Sequence, residues 1–495
     1  MDVKSIAIIG AGSAGLAAAK YLMAEKKFSQ IDIYEQRATT GGVWNTSPLD
    51  REPGFSIPRT TPTSEHEYAT VITGAPAGND RPGGGSPVHV ELVSPVYDHL
   101  ETNIPHGLMS YTDLEFPPGT ALFPEHPVVL AYIQEYGRDV EHLIAFETQV
   151  RDVRKTSADD GTAAWTVEAR HLKTGAVSSK RYDAVVVASG HYSDPFVPNV
   201  PGIAEFEAAH PGTIIHSKFY RRPEQFSGKK VLVVGNSASG IDISHQIVTT
   251  AQLPVLISEK GAPGADPAAL PAPTSWSRHV GQVAELLPAT RSARLTSGRV
   301  ESGLDAVVFC TGYHYSFPFL TSLAPHLAAP DGTYADHLWE HLLYAPDATL
   351  AVLAVPKRVV PFPLAEAQAA VVARAWAGRL DLPARAERDA WVRRLVTEAA
   401  PAARHTLSYP QDADYIDRLY EMSARARPDA ARGLEGGGAG KRPPYWDEET
   451  RWVRSQIFAI KVASRELGER RKECKTLADL GFDFNAVREL ASTKV

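Results

Sequence analysis

The chain of 495 residues holds only two cysteines, Cys310 and Cys474, and four methionines. Cysteines so far apart in sequence make no disulfide framework and no zinc-ligand spacing. They also exclude a redox dithiol, which needs its pair within a few residues. So few cysteines fit a reducing compartment, and the chain enters its first strand too soon for a signal peptide, so a cytoplasmic protein is expected. No apolar run approaches the ~20 residues that cross a bilayer, so no membrane span is expected. No Lys/Arg block occurs and the formal net charge is −7, which argues against nucleic acid as a partner. No metal site is expected. What remains, 43% hydrophobic and 22% charged, is the composition of an ordinary globular protein long enough for two or more domains.

Against these absences the first forty residues carry a dense signal. Lys4 to Ile9 is a short β-branched run suited to a buried parallel strand, and Leu16 to Leu22 is built of good helix formers. Between them lies Gly10-Ala11-Gly12-Ser13-Ala14-Gly15, a G-x-G-x-x-G with its strand before and its helix after. Gly10 allows the tight turn, Gly12 lets a pyrophosphate approach the backbone, and Gly15 lets helix and strand pack closely. The N–H groups around Ser13 and Ala14 open the helix, where its dipole favours an anion. Glu35 follows a second strand, Ile31 to Tyr34, twenty positions after Gly15, where a carboxylate accepts hydrogen bonds from a ribose.

Further along, Gly41-Gly42-Val43-Trp44 places an aromatic beside two glycines that allow close backbone approach. From Asn45 to Pro87 the periodicity fails and irregular structure is expected. Pro127 to Val140 reads as a helix, Ile144 to Val150 as one strand, and Trp165 to Arg170 as an antiparallel strand reached by a turn at Ser157 to Gly161. Two segments then copy each other, Asp183-Ala184-Val185-Val186-Val187-Ala188-Ser189-Gly190 and Asp305-Ala306-Val307-Val308-Phe309-Cys310-Thr311-Gly312. Between them is a second fingerprint, the strand Lys230 to Val234 and the turn Gly235-Asn236-Ser237-Ala238-Ser239-Gly240. Ser237 stands where the second glycine is expected, so backbone approach there is less close. Lys260 lies twenty positions after Gly240, and a cation there favours the 2′-phosphate of NADPH, although Glu259 beside it argues for NADH. Gly261 to Pro273 is expected to be a loop, Leu364 to Gly378 a helix, and most of the remainder helical.

The expected architecture is therefore α/β, with two dinucleotide-binding Rossmann-like domains, the smaller inserted in the larger, and a helical C-terminal extension. The larger would comprise residues 1–218 and 305–495 and hold FAD; the smaller, residues 219–304, would hold NADPH. Such a pairing serves NADH-driven electron transfer, oxygenation on a flavin, or nucleotide sensing without turnover.

His210-Pro211-Gly212-Thr213-Ile214-Ile215-His216-Ser217-Lys218-Phe219-Tyr220 resembles the F-x-G-x-x-x-H-x-x-x-(F/Y) signature of flavin-containing monooxygenases, with His210 in place of Phe. Gly41 to Trp44 is similar to that family's G-G-x-W, Thr311-Gly312-Tyr313 to its T-G-Y, and Phe362 to Ala369 and Pro443 to Phe484 to segments of fungal and yeast-like members. The related Baeyer–Villiger enzymes usually carry Trp where this chain has Tyr220. The resemblance spans nearly the whole chain except residues 45–87. It implies that Gly10, Gly12, Ser13, Ala14, Gly15, Glu35, Gly42, Val43 and Trp44 hold FAD, with Val150 at the adenine through its backbone. Gly235, Asn236, Ser237, Ala238, Ser239, Gly240, Lys260 and Tyr220 would hold NADPH. Asn103, in Thr102-Asn103-Ile104-Pro105, would stand at the reactive face of the flavin as the catalytic residue, with Thr102 and Asn103 both among the cofactor contacts; the alternative is an Asn that only shapes the turn before Pro105. Gln368 would reach the flavin edge or be a partly exposed helix residue, and His216 would be functional or structural. The implied reaction reduces FAD with NADPH and carries dioxygen as a flavin C4a-hydroperoxide to a soft nucleophile, sulfur or amine nitrogen, of a small molecule. A ketone substrate and a non-catalytic redox sensor are the alternatives, and a homodimer is the candidate assembly.

Overall fold

The computed structural model describes residues 2–52, 54–63, 70–73, 89–157, 163–260, 271 and 273–492. Most of the expected loops at 74–87 and 261–273, and the turn at 158–161, lie outside them. Two sheets, the first mixed and the second parallel, are each built on the same parallel three-strand unit. In the first, β1 (Ser5–Ile9) pairs with β2 (Gln30–Tyr34) on one side and β3 (Ala184–Val187) on the other. In the second, the order is β4 (Ile214–His216), β8, β5 (Lys230–Val234), β6 (Gln252–Ser258) and β7 (Ser277–Val280), with β8 spanning Ala306–Phe309. Helix α1 (Ser13–Ala24) connects β1 to β2, and α2 (Ala238–Ile247) connects β5 to β6. The first sheet continues beyond β3 through Leu350–Val352, Leu343–Tyr344 and Leu338–Trp339.

The copied segments are the third strand of each unit. Every residue of β3 and β8 is buried, which explains their unbroken apolar character. The aspartate before each strand has a structural task. Asp183 accepts the N–H groups of Lys4 and Ser5, both at 2.8 Å, and Asp305 accepts that of Lys230 at 3.0 Å. At the other end Ala188 N–H donates to Ile9 and Cys310 N–H to Val234. The repeat therefore pins both ends of the first strand in each unit.

Sheet membership corrects the expected boundaries of 219–304. The strands β4 and β8 lie in the second sheet, and the core beneath it takes in Val197, Val200, Ile203 and Phe206. Parallel partners must come from the same sheet, so the second unit runs from about Val197 to Phe309. The expected strand 144–150 is also broken. Glu147 has φ +52°, and the chain turns there, so Ile144–Ala145 pairs with β2 while Thr148–Ser157 opens an antiparallel sheet with Ala163–His171 and Val177–Tyr182. A continuous apolar run does not reveal a corner within it.

The segment after Trp44 is more ordered than its composition suggests. Thr70–Thr73 and His89–Leu92 form a hairpin. Glu52 makes a buried ion pair with Lys218, Phe55 packs edge-on against Phe219 at 4.8 Å, and Arg59 pairs with Asp194 at 2.7 Å. This loop is clamped onto the linker between the two sheets.

Helix α3 (Pro361–Trp376) begins earlier than expected because Pro361 serves at its first position, where no N–H bond is lost. It is buried around almost its whole circumference, between α1 and Gln411–Ala424. Its Glu366 is wholly enclosed, accepting the N–H of Thr112 at 2.9 Å and its hydroxyl at 2.8 Å. Burial, beside stacked Tyr111, Tyr136 and Phe362, lifts this carboxyl to about 7. An acid whose folded pKa is raised contributes stability below its unfolded value near 4.5 and loses it as pH rises through about 7. A glutamine mimics the protonated form, so Glu366→Gln is expected to melt close to the wild type at pH 5 and above it at pH 8. The difference is on the order of 3 kcal/mol. Melting curves of both proteins from pH 5 to 8 check this; parallel profiles would refute it.

Candidate functional site

The two glycine turns are nearly the same object. Gly10 and Gly235 have φ +104° and +106°, and a Cβ on either would sit 2.5 or 2.6 Å from the carbonyl oxygen of Ala188 or Cys310. A Cβ on Gly15 or Gly240 would overlap the carbonyl oxygen of Gly10 or Gly235. These four glycines serve the fold itself. Gly12 differs: a Cβ there would meet only the Cα of Gly42, at an ordinary 3.5 Å. The protein leaves that space open. Neither α1 nor α2 has a side-chain cap or an acidic residue in its first turn, so the leading N–H groups face outward without a partner anion. Ser237 is extended like Gly12 (φ −107° and −78°), so the substitution leaves the turn unaltered and only its side chain narrows the approach. Two pyrophosphates fit these cradles.

The remaining FAD-side residues gather around the first turn. Gly41 N–H donates to Ala11 at 3.1 Å, which brings the short 3₁₀ turn Gly42–Trp44 against the fingerprint. Buried Glu35 accepts the N–H groups of Ala11 and Arg37, both at 2.8 Å, and its carboxylate still has lone pairs for ribose hydroxyls. Burial raises its pKa. Thr148 N–H donates to the Glu35 carbonyl at 2.8 Å, which brings the strand containing Val150 alongside Glu35.

At the second turn the acid position is corrected. Gly10 N–H donates to Tyr34 at 2.8 Å, and Gly235 N–H donates to Ser258 at 2.9 Å. The residue after each acceptor is therefore equivalent, and Glu259, not Lys260, matches Glu35. The offset from the third glycine is one shorter in the second unit, so counting missed it. Glu259 accepts the Asn236 side-chain amide at 3.1 Å and lies 2.8 Å from His279 Nδ1, while Lys260 is exposed next to it.

Three expected ligands are committed elsewhere. Tyr220 is wholly buried against Tyr97, and its hydroxyl donates to Gln246 at 2.9 Å, so it is a core residue of the α2 flank. Gln368 is wholly buried, accepting Ala354 N–H at 2.8 Å and donating to the Tyr415 hydroxyl at 3.1 Å, which ties the loop after Val352 to α3. Its reach to a flavin edge is replaced by that structural role. His216 takes the structural alternative. Its Nδ1 accepts Lys218 N–H, so Nε2 carries the proton and donates to the Gly312 carbonyl at 3.0 Å, and burial pushes its pKa down to about 3.

Asn103 is half-buried on a segment strung between the two units. Upstream, the Tyr97 hydroxyl donates to Asp242 of α2; downstream, the Tyr111 hydroxyl donates to the Ser13 carbonyl of α1 at 3.1 Å. A turn-shaping asparagine accepts the N–H two residues on, but that residue is Pro105, which has none. The local bond is made by Thr102 instead, whose hydroxyl donates to Ile104 at 2.8 Å. Among the described residues the Asn103 amide has no hydrogen-bond partner. Tyr97, Tyr111 and Asp242 were not singled out from the sequence, because residues 97–113 have no period and each role depends on a partner far along the chain.

Two measurements test this geometry. Gly12→Ala is expected to fold and melt near the flavin-stripped wild type and to purify without flavin, whereas Gly15→Ala should fail to fold; full flavin occupancy in Gly12→Ala would contradict the cradle. Glu259→Gln, which removes a charge beside the adenosine ribose, is expected to raise the NADPH to NADH ratio of kcat/KM about tenfold, and Lys260→Ala to lower it; each contact is worth about 1–3 kcal/mol. An unchanged ratio in both would remove these residues from nucleotide selection.

Residues 89–263 and 280–430 match the family described as flavin-binding monooxygenase-like, and residues 8–68 match an NAD(P)-binding Rossmann-like domain. Flavin-containing monooxygenase FMO GS-OX-like 7 of Arabidopsis thaliana is 32% identical over 396 residues, covering 78% of this chain and 75% of that protein. Flavin-containing monooxygenase iboF of Amanita muscaria is 28% identical, covering 77% and 80%. The structure of S-allyl-L-cysteine S-oxygenase from Allium sativum aligns with a TM-score of 0.72 and 26% identity over all of both chains. With two nucleotide cradles of matching geometry and these relatives, the chain belongs to the flavin-binding monooxygenase-like family, an NADPH- and dioxygen-dependent oxidoreductase that carries FAD.

Proposed function

We propose that this monooxygenase transfers one oxygen atom to a soft nucleophile of a small molecule, and that the nucleophile is the sulfur of a thioether. Bound FAD, reduced by NADPH, supplies the activation of dioxygen. The observation that carries the reading is the unpartnered Asn103 amide on the segment tethered to both nucleotide helices. It offers a donor and an acceptor at one point and is free to hold an oxygen or a carboxamide there. Tyr97 and Tyr111, which anchor the segment on either side of it, are buried. No side chain is required as a nucleophile: both cysteines are free and buried, and burial pushes the Cys310 thiol up to about 12. That chemistry, with so few cysteines, agrees with a cytoplasmic setting. Sulfur rather than nitrogen is supported by the whole-length similarity to a protein that is an S-oxygenase.

The test is a dioxygen-consuming assay with methyl p-tolyl sulfide, a tertiary amine and cyclohexanone, following NADPH, oxygenated product and hydrogen peroxide together. Sulfoxide is expected with the highest kcat/KM. Asn103→Ala is expected to keep its flavin and its reduction by NADPH while peroxide rises at the expense of sulfoxide by at least fivefold. Lactone from cyclohexanone in place of sulfoxide would move the reading to ketones, and normal coupling in fully flavinated Asn103→Ala would remove Asn103 from the catalytic role.

A further inference from the structure

The last long helix, α4 (Glu448–Glu466), carries two cations one turn apart, one bound to the segment at Thr102 and the other to α2 of the second unit. Lys461 is only 6% exposed. Its Nζ donates to the Thr102 carbonyl at 2.8 Å, stands 3.5 Å from Glu101 and lies 4.2 Å over the Phe123 ring. Burial holds its pKa down to about 8, so it is still charged at neutral pH. One turn on, Arg465 donates to Asp242 of α2 at 2.9 Å. That carboxylate also accepts the Tyr97 hydroxyl and, from within α2, the Gln246 amide at 3.0 Å. Beyond the helix Arg471 pairs with Glu101 at 2.7 Å, and the Cys474 carbonyl accepts Leu122 N–H at 2.8 Å. Residues 461–474 therefore hold the segment from Glu101 to Leu122 at several points.

The Thr102 carbonyl and the Asn103 N–H share one peptide plane. A hydrogen bond to that oxygen restrains the plane, and with it the position of the Asn103 Cα from which the side chain leaves. A buried charge is costly unless its partners are well placed, and here the partners are the Thr102 carbonyl and Glu101. A displacement of 1 Å at a reacting group can cost a hundredfold in rate.

We propose that Lys461 and Arg465 are positioning residues, and that α4 is a strut holding the Thr102–Asn103 peptide in register with the NADPH-binding helix, so that it sets how much of the NADPH consumed ends in oxygenated product. The inference rests on the role given to Asn103 above. It assigns the C-terminal helix a part in the reaction although none of its side chains touches the reacting atoms.

The test compares Lys461→Met and Arg465→Met with the wild-type holoenzyme. Methionine keeps an unbranched side chain of similar length and drops the charged donor that lies over Phe123. Lys461→Met is expected to retain full flavin and a KM for NADPH within twofold of the wild type. Its kcat for sulfoxide should fall at least fivefold as peroxide rises, and amide hydrogen exchange should quicken at residues 102–104. Arg465→Met should shift the same readouts by a smaller factor, because Asp242 keeps Tyr97 and Gln246. If Lys461→Met does not hold flavin, Arg465→Met decides. Normal coupling and unchanged exchange in a fully flavinated variant would overturn the strut. Should Asn103→Ala itself prove fully coupled, the catalytic role of Asn103 falls, and exchange at 102–104 alone decides whether α4 holds the peptide.

Discussion

The structure depends on a helix that starts where it cannot satisfy its own N–H groups. In both units the chain leaves a buried strand, turns at a glycine with φ above +100°, and enters a helix with neither side-chain cap nor acid in the first turn. In the first unit they point into a space that Gly12 and Gly42 keep clear, and the glycines at 10, 15, 235 and 240 are forced by backbone oxygens of the same unit. The third strand completes the device: its aspartate pins the start of the first strand, and its last residues press the turn from below. Remove the strand and the turn has nothing to fold against.

Between the two units the chain places charge where no water reaches. Lys218 is buried with Glu52 from the loop after Trp44, and Arg59 is paired with buried Asp194 nearby. Removing one partner of such a pair typically costs about 3–5 kcal/mol, because the other is left uncompensated. Neutral His216, the last residue of β4, donates to Gly312 just beyond β8. The seam is thus specified by hydrogen-bond partners rather than by apolar area alone. That suits two cofactor units which must keep a fixed relation for hydride to pass between them.

Two further tethers converge on residues 97–113. Tyr97 reaches α2, Tyr111 reaches α1, and the C-terminal segment grips the stretch between them through Lys461 and Arg471. On the function proposed above, the substrate would meet an oxidant already formed, so few residues would need to read the substrate. What must be held is the geometry around the oxidant. The concentration of buried tyrosines and ion pairs on this one irregular segment is where the molecule meets that demand.

Most of the fold was legible in the chain itself. Local rules sufficed for the two fingerprints, the strands flanking them and the duplicated D-A-V-V segment, because a glycine turn, a β-branched run and a helix former each act through near neighbours. The same rules misjudged whatever depended on register or on distant partners. Glu259 rather than Lys260 matches Glu35, since one residue of difference in a connection is invisible until two backbone hydrogen bonds are compared. The second unit begins near Val197 because β4 and β8 belong to its sheet, and sheet membership is a long-range property. Tyr220 and Gln368 stand inside signatures that resemble a cofactor-binding family, yet burial and partners commit them to the core. Only the folded chain brings Asp242, Tyr97 and Arg465 together across more than three hundred residues, and only there does the Asn103 amide emerge without a hydrogen-bond partner among the described residues. The sequence by itself determined which nucleotides the chain can cradle, because phosphate binding is written in contiguous backbone. Tertiary structure decided which side chains are free to act, because freedom is whatever packing and hydrogen bonding leave over.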